Sequence, residues 1–185
     1  MSVEQTSATS IPAFDFVSYF EGHRIASGWF SDRFGKVRRH FCGDFIGTLR
    51  DDGIFELDET LIYDDGVIET RLWEVSIAAD GRFTAESDSL VGSANGFING
   101  PVLNMQYVMN VLITPEKTWQ LSMDDSMVLQ PNGTLHNITQ VKKYGIRIGT
   151  VSTQYYRPTA TDQETQQSCA SDVQSEQEVA RVANY

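Results

Sequence analysis

Four turns of one kind punctuate this chain: Arg50-Asp51-Asp52-Gly53, Tyr63-Asp64-Asp65-Gly66, Ala78-Ala79-Asp80-Gly81 and Gln130-Pro131-Asn132-Gly133. Each stands between two β-rich runs. Asp-Gly or Asn-Gly in that setting is the strongest short-range hairpin signal, because glycine takes positive φ at no steric cost. Four such turns predict an antiparallel meander. Strands are expected near 24–31, 36–49, 54–63, 67–78, 82–91, 101–113, 118–130, 134–144 and 147–157. About nine short strands in up-and-down order close most simply into a barrel, which leaves no edge exposed. Before them, Pro12 to Gly22 reads as one short helix, with proline in its first turn and glycine at its stop. Phe16, Tyr19 and Phe20 fall at helical spacing, so this helix is expected to plug one end of the sheet.

Loop length decides which side chains share the inside. With three residues in each loop, 50 pairs with 54, 63 with 67, 78 with 82 and 130 with 134. Every such sum is even, so odd-numbered residues stay on one face throughout. The odd face then carries Val37, Phe41, Phe45, Leu49, Phe55, Leu57, Leu61, Tyr63, Trp73, Val75, Ile77, Phe83 and Val91, and later Leu103, Met105, Met109, Val111, Trp119, Leu121, Met123, Met127, Leu129, Leu135 and Val141. Two-residue loops would turn Phe55 and Trp73 into water, and the hydrophobic cost rejects them. The polar residues of this inner face are the informative ones: Glu59, Glu69, Arg71, Asp125 and Asn137, with Arg39 and Lys143. Glu59 should face Arg71 across the second hairpin, and Asp125 should face Thr139 diagonally to Asn137. Gly43, Gly47, Ala85, Ser87 and Ser89 share the face, with Ser87 expected opposite Trp73 and Ser89 opposite Arg71. Small residues beside large ones either leave a lined cavity or let the large ones fill it.

Composition narrows the partners. At 185 residues the chain is one domain, 12–158, between a polar N-terminus, 1–11, and a polar acidic tail, 159–185, both expected to be disordered. The net charge of −11 argues against nucleic acid and against anionic membrane surfaces, since either wants a basic patch. Met1 to Ser10 has no basic start, apolar stretch or small-residue cleavage site, and no run is long enough to span a bilayer. Cys42 and Cys169 are expected to stay reduced. Together these features point to a cytoplasmic monomer or homodimer. His23, His40 and His136 are too scattered for a metal site, and no cofactor or nucleophile motif is present.

The run Glu59-x-Leu61-x-Tyr63-Asp64-Asp65-Gly66, then Arg71-x-Trp73, resembles an uncharacterised bacterial family, domain-of-unknown-function family 3833. Further matches are Asp32-Arg33 with Gly35, Arg38-Arg39, Val91-Gly92 with Gly96, and Gly100 with Asn104 and Tyr107. Near the end come Asp124-Asp125-x-Met127, Asn137, and Lys143-Tyr144-Gly145 with Gly149. The resemblance covers about residues 14–157. Leu61, Ser126, Ile138 and Tyr144 depart from the family pattern, Ser126 standing where a tryptophan is usual. The resemblance implies a lipocalin-like barrel and supplies no activity.

Two functions follow from the inner face. A binding barrel would hold a small amphipathic or lipid-like molecule, its apolar body against Trp73, Phe45, Met105, Met109 and Met127, its polar end near Arg71, Asn137 or Tyr107, and with Ser87 and Ser89 beside it. A cofactor-independent isomerase, cyclase or dehydratase would use Asp125, Glu59 and Tyr107 as acid–base groups on a lipid-like or polyketide-like substrate. Arg71 opposite Glu59 favours ionised Glu59, which makes Asp125 the better acid or base. A third reading assigns partner binding to the acidic tail.

Overall fold

A computed structural model describes residues 12–114 and 116–158. The two terminal segments expected to be disordered lie outside them. The chain forms one short helix, α1 (Phe16–Phe20), and ten antiparallel strands: β1 (Gly22–Asp32), β2 (Val37–Leu49), β3 (Phe55–Tyr63), β4 (Ile68–Ile77), β5 (Arg82–Glu86), β6 (Ala94–Asn99), β7 (Val102–Thr114), β8 (Lys117–Leu129), β9 (Leu135–Lys143) and β10 (Ile146–Tyr156). Each pairs with its chain neighbours, and β10 closes on β1.

The four expected turns all have the three-residue form. In each, the residue before the loop donates its amide to the residue after it, and the glycine amide donates back at positive φ. Examples are Arg50 to Ile54 at 2.9 Å and Gly53 to Arg50 at 3.0 Å. A fifth turn of the same form, Asp32 to Lys36 with Gly35 at φ 83°, joins β1 to β2. Parity therefore holds as derived: Glu59 pairs with Arg71, and Asp125 with Thr139.

The strand count is ten rather than nine, because β6 has no alternation to announce it. Its sequence is Ala-Asn-Gly-Phe-Ile-Asn. Phe83 pairs with Gly96, and Gly96 with Met105. The inner face thus switches from odd to even on entering β6 and back to odd on entering β7. The two switches cancel, so the odd rule survives on β7–β9 although a strand was missed. On β1, by contrast, the even residues Ala26 and Phe30 face inward.

Val37, Leu49 and Ile77, expected inside, stand at strand ends and are exposed, because the barrel wall stops there. Three further expected inner residues leave the sheet. β5 ends at Glu86, so Ser87, Ser89 and Val91 belong to the connection to β6. Ser87 and Ser89 do not oppose Trp73 and Arg71, and Val91 is 44% exposed. This connection is tied to β7 instead, with Asn110 donating to the Ser89 carbonyl and Val91 to that of Val108, each at 2.8 Å.

The helix is shorter than expected. Asp15 caps its start by accepting from the Ser18 amide at 3.1 Å, and Gly22 already belongs to β1. Residues before it run extended, with the Phe14 amide donating to Gly100 at 2.8 Å. The plugging role holds: Phe16 meets Phe55 and Phe83 edge to face at 5.9 and 5.1 Å, and Phe20 meets Tyr155 at 5.3 Å. Burying each such ring contributes roughly 1.5–3 kcal/mol. Gly47 makes the seat possible, because a Cβ there would collide with the Phe20 carbonyl. The small inner residues are thus used partly for packing: at Gly43 the space is filled by Leu61 and Phe45.

Cys42 is disulfide-bonded, which overturns the expectation of two reduced cysteines and removes that argument for a reducing compartment. Cys169 lies outside the described residues. Among the described residues, no helix is long and apolar enough to cross a membrane.

Candidate functional site

Helix α1 blocks one end of the barrel. Above it a cavity of about 430 Å³ opens toward the other end, where the β1–β2, β3–β4, β7–β8 and β9–β10 turns lie. Its wall is mostly apolar: Phe45, Leu57, Trp73, Met105, Met109, Met123 and Met127 all line it. Two polar clusters interrupt this wall on different strands.

The first stands on β3 and β4. Arg71 Nη1 donates to Glu59 Oε1 at 2.5 Å, and Nη2 donates to Glu69 Oε2. Trp73 Nε1 donates to the other Glu59 oxygen at 2.7 Å, and Tyr63 Oη donates to Glu69 at 3.2 Å. Burial opposes the Arg71 charge, but the Glu59 and Glu69 carboxylates more than offset it, and the guanidinium is held more firmly protonated than usual. Burial, reinforced by Glu69, pushes the Tyr63 phenol up to about 12. Arg39 lies over the Tyr63 ring at 3.4 Å and carries the cluster toward the mouth.

The second stands on β7, β8 and β9. Tyr107 Oη donates to Asp125 Oδ2 at 3.1 Å. Asn137 Nδ2 reaches Thr139 Oγ1 at 3.4 Å. Asp125 Oδ1 and Asn137 Oδ1 are both buried and accept no hydrogen bond among the described residues. Burial pushes the Asp125 carboxyl up to about 6; the neighbouring Thr139, Tyr107 and Asn137 temper that rise, and the Glu59 charge adds to it. Of these three, Tyr107 makes the hydrogen bond to Asp125 that meets strict geometry. Tyr107 is itself held well above the usual phenol range by burial and by Asp125. Tyr155 is raised likewise, by burial and then the Glu59 and Asp125 charges, with the Asn137 side chain beside it opposing the rise. Trp73 bridges the clusters, its ring 5.8 Å from that of Tyr107 and nearly perpendicular to it.

Of the residues singled out from sequence, Glu59, Arg71, Trp73, Phe45, Met105, Tyr107, Asp125, Met127 and Asn137 share this cavity. Ser87 and Ser89 do not. They line a separate surface recess with Thr70 and Leu72, and Arg71 borders both spaces. The reading from sequence missed Phe30, Thr153 and Tyr155, which complete the wall on β1 and β10. Their strands lie past register shifts, at Phe30/Ser31 and Arg147/Gly149, that parity cannot cross. The Lys143-Tyr144-Gly145-Ile146 turn was the available signal: two residues at positive φ reverse the face, and the bulge then restores it.

A ten-stranded antiparallel barrel, plugged at one end and enclosing an apolar cavity with a few buried polar groups, defines a class of cavity-bearing β-barrel proteins. The chain belongs to the family described as protein of unknown function, DUF3833, whose model matches residues 1–157. No curated protein matches it.

Proposed function

We propose that this lipocalin-like barrel binds a small amphipathic molecule whose polar end donates hydrogen bonds. The observation that carries this reading is the pair of buried acceptors without donors, Asp125 Oδ1 and Asn137 Oδ1, on the wall of an otherwise apolar cavity. Buried polar atoms are normally satisfied, so a ligand hydroxyl, amide or protonated acid group is the natural complement. A free carboxylate fits less well. Arg71 is already engaged by two carboxylates, which leaves the first cluster net negative. Cavity volume and lining match those of small-molecule sites, and the methionines adapt to an irregular apolar body.

Native mass spectrometry of the purified protein tests this directly. A co-purifying amphipathic molecule, or tight binding of a long-chain alcohol probe in preference to the matching carboxylate, supports it. An empty barrel that binds neither sinks it.

One observation favours catalysis as the second reading. A buried carboxyl near pH 6, bonded to a phenol inside a cavity, is poised for general acid–base chemistry of the isomerase, cyclase or dehydratase type. Asp125 would exchange the proton and Glu59 would hold Arg71. Turnover of any co-purified molecule that persists in Asp125→Asn removes this reading.

A further inference from the structure

The five most exposed large apolar side chains among the described residues all stand at the open end of the barrel. They are Tyr144 (92%), Phe34 (80%), Ile146 (64%), Ile68 (62%) and Leu112 (60%). Tyr144 and Ile146 occupy the β9–β10 turn, Leu112 the end of β7, Phe34 the β1–β2 turn and Ile68 the start of β4. The apolar surface continues inward, because Leu112 and its neighbour Ile113 also line the cavity. Isolated exposed apolar residues are ordinary, whereas a rim of them around a cavity mouth marks a contact surface.

The charge around this rim is not that of the whole protein. Eight of the chain's 14 Lys and Arg residues fall in the mouth-side parts of three hairpins. β1–β2 carries Arg33, Lys36, Arg38 and Arg39; β7–β8 carries Lys117; β9–β10 carries Lys142, Lys143 and Arg147. These hairpins adjoin one another around the barrel, since β7 to β10, β1 and β2 are consecutive in the closed sheet. Arg38, Arg39 and Lys142 are engaged by carboxylates, but Arg33, Lys36, Lys117 and Arg147 are exposed and form no ion pair among the described residues. The arc also holds Asp32, Glu116 and Asp124, so its eight cations outnumber its carboxylates without excluding them, while Asp64, Asp65 and Asp88 on the β3–β4 and β5–β6 connections make the other side of the mouth acidic. Within the basic arc, cations lie beside the protruding aromatics: Arg33 over Phe34 at 4.6 Å, and Lys143 over Tyr144 at 5.4 Å.

We infer that the arc formed by the β7–β8, β9–β10 and β1–β2 hairpins docks the open mouth onto an anionic phospholipid bilayer. Phe34, Tyr144 and Ile146 enter the headgroup layer, while the flanking Lys and Arg meet the lipid phosphates. Apolar tips with aromatic and basic residues at their base are the chemistry of interfacial binding. The net charge of −11 hides this arc, because the field of a docking face is set within a Debye length of about 8–10 Å. The inference rests on the rim and stands whether or not the cavity holds a ligand. If the cavity is filled, its contents could move between barrel and bilayer without crossing water.

Co-sedimentation with phosphatidylcholine vesicles, with and without about 30 mol % phosphatidylglycerol, tests the inference at low and moderate salt. The full chain should pellet with the anionic vesicles, weaken as salt rises, and bind pure phosphatidylcholine at least roughly tenfold less well. The triple variant F34S/Y144S/I146S should lose vesicle binding while keeping its fold by circular dichroism, since none of the three lines the cavity. A second variant, R33E/K36E/R147E, leaves the apolar tips in place and should lose the preference for anionic lipid. Failure to pellet with any vesicle, or equal pelleting of the parent and both variants, overturns the inference. So does concentration-dependent dimerisation that the triple variant abolishes in the absence of vesicle binding, which would assign the rim to a second copy of the chain.

Discussion

The barrel buries two carboxylates on opposite parts of one cavity and treats them differently. Glu59 meets a guanidinium and an indole N–H, one on each oxygen. Asp125 accepts from one phenol, and its second oxygen accepts no hydrogen bond among the described residues. Both lie within a similar apolar shell, so burial alone does not separate them. The partners do. β4 faces Glu59 with Arg71 in direct register, whereas β9 faces Asp125 with Thr139, which carries no charge. The first carboxylate is spent on structure, and the second is left with capacity.

The largest test of this contrast removes the cation. Arg71→Met strands Glu59 and Glu69 without their shared partner and should cost about 3–5 kcal/mol, or about 6–20 °C in melting temperature. Thermal unfolding within a few degrees of the parent would show that the Glu59 cluster is not the saturated one.

Asp125→Asn should act in the opposite direction. The folded-state carboxyl is raised from 3.8 to about 6, so between those pH values the native chain holds a proton that the unfolded chain has released. Stability from this group is therefore greatest below about pH 4 and is lost as pH rises toward 6. The difference of about two pH units corresponds to about 3 kcal/mol. Asn carries no charge to bury, so the variant should be about 1–3 kcal/mol more stable than the parent at pH 7, with the gain vanishing by pH 4. Denaturant unfolding of both proteins across that window measures the difference directly, and a gain independent of pH would refute the assignment.

Tyr107→Phe is a smaller change. It removes the donor to Asp125 Oδ2, should cost about 1 kcal/mol, and should move the Asp125 titration further above 6 in carboxyl NMR. The smallest effect belongs to the double variant S87A/S89A. Its positions lie off the cavity, so stability should change by no more than about 0.5 kcal/mol and probe binding should not change.

How much of this was readable before the structure depends on turn chemistry. Where loops have Asp-Gly or Asn-Gly, one parity rule placed Glu59 against Arg71 and Asp125 against Thr139, because a side chain's face is a matter of counting. Where the chain departs from that form, counting fails. The β5–β6 connection leaves the sheet at Glu86, so Ser87 and Ser89 kept the right parity and lost the wall they were meant to stand in. Phe30 was invisible because a shift in register moved the inner face of β1 to even residues, and Tyr155 because its odd parity survives only through a two-residue turn that reverses the face and a bulge that restores it. Orphaned acceptors are harder still. That Asp125 Oδ1 has no donor depends on angles and distances that no spacing of residues encodes.

The brevity of β5 has a consequence for how the barrel breathes. Its ladder with β4 stops at the Glu74–Glu86 pair, so Ile68 to Trp73 are ladder-paired to β3 alone. On the other side of that gap the β5–β6 connection is fastened to β7, and only a recess separates it from Thr70 and Arg71. A ring opens where its fastening is shortest. Local unfolding should begin by parting the short β4–β5 ladder and releasing the connection from β7, at a free energy well below that of global unfolding. Amides of residues 87–93 should accordingly exchange with solvent ahead of those in β8 and β9, and a side door beside Arg71 would open on the same timescale.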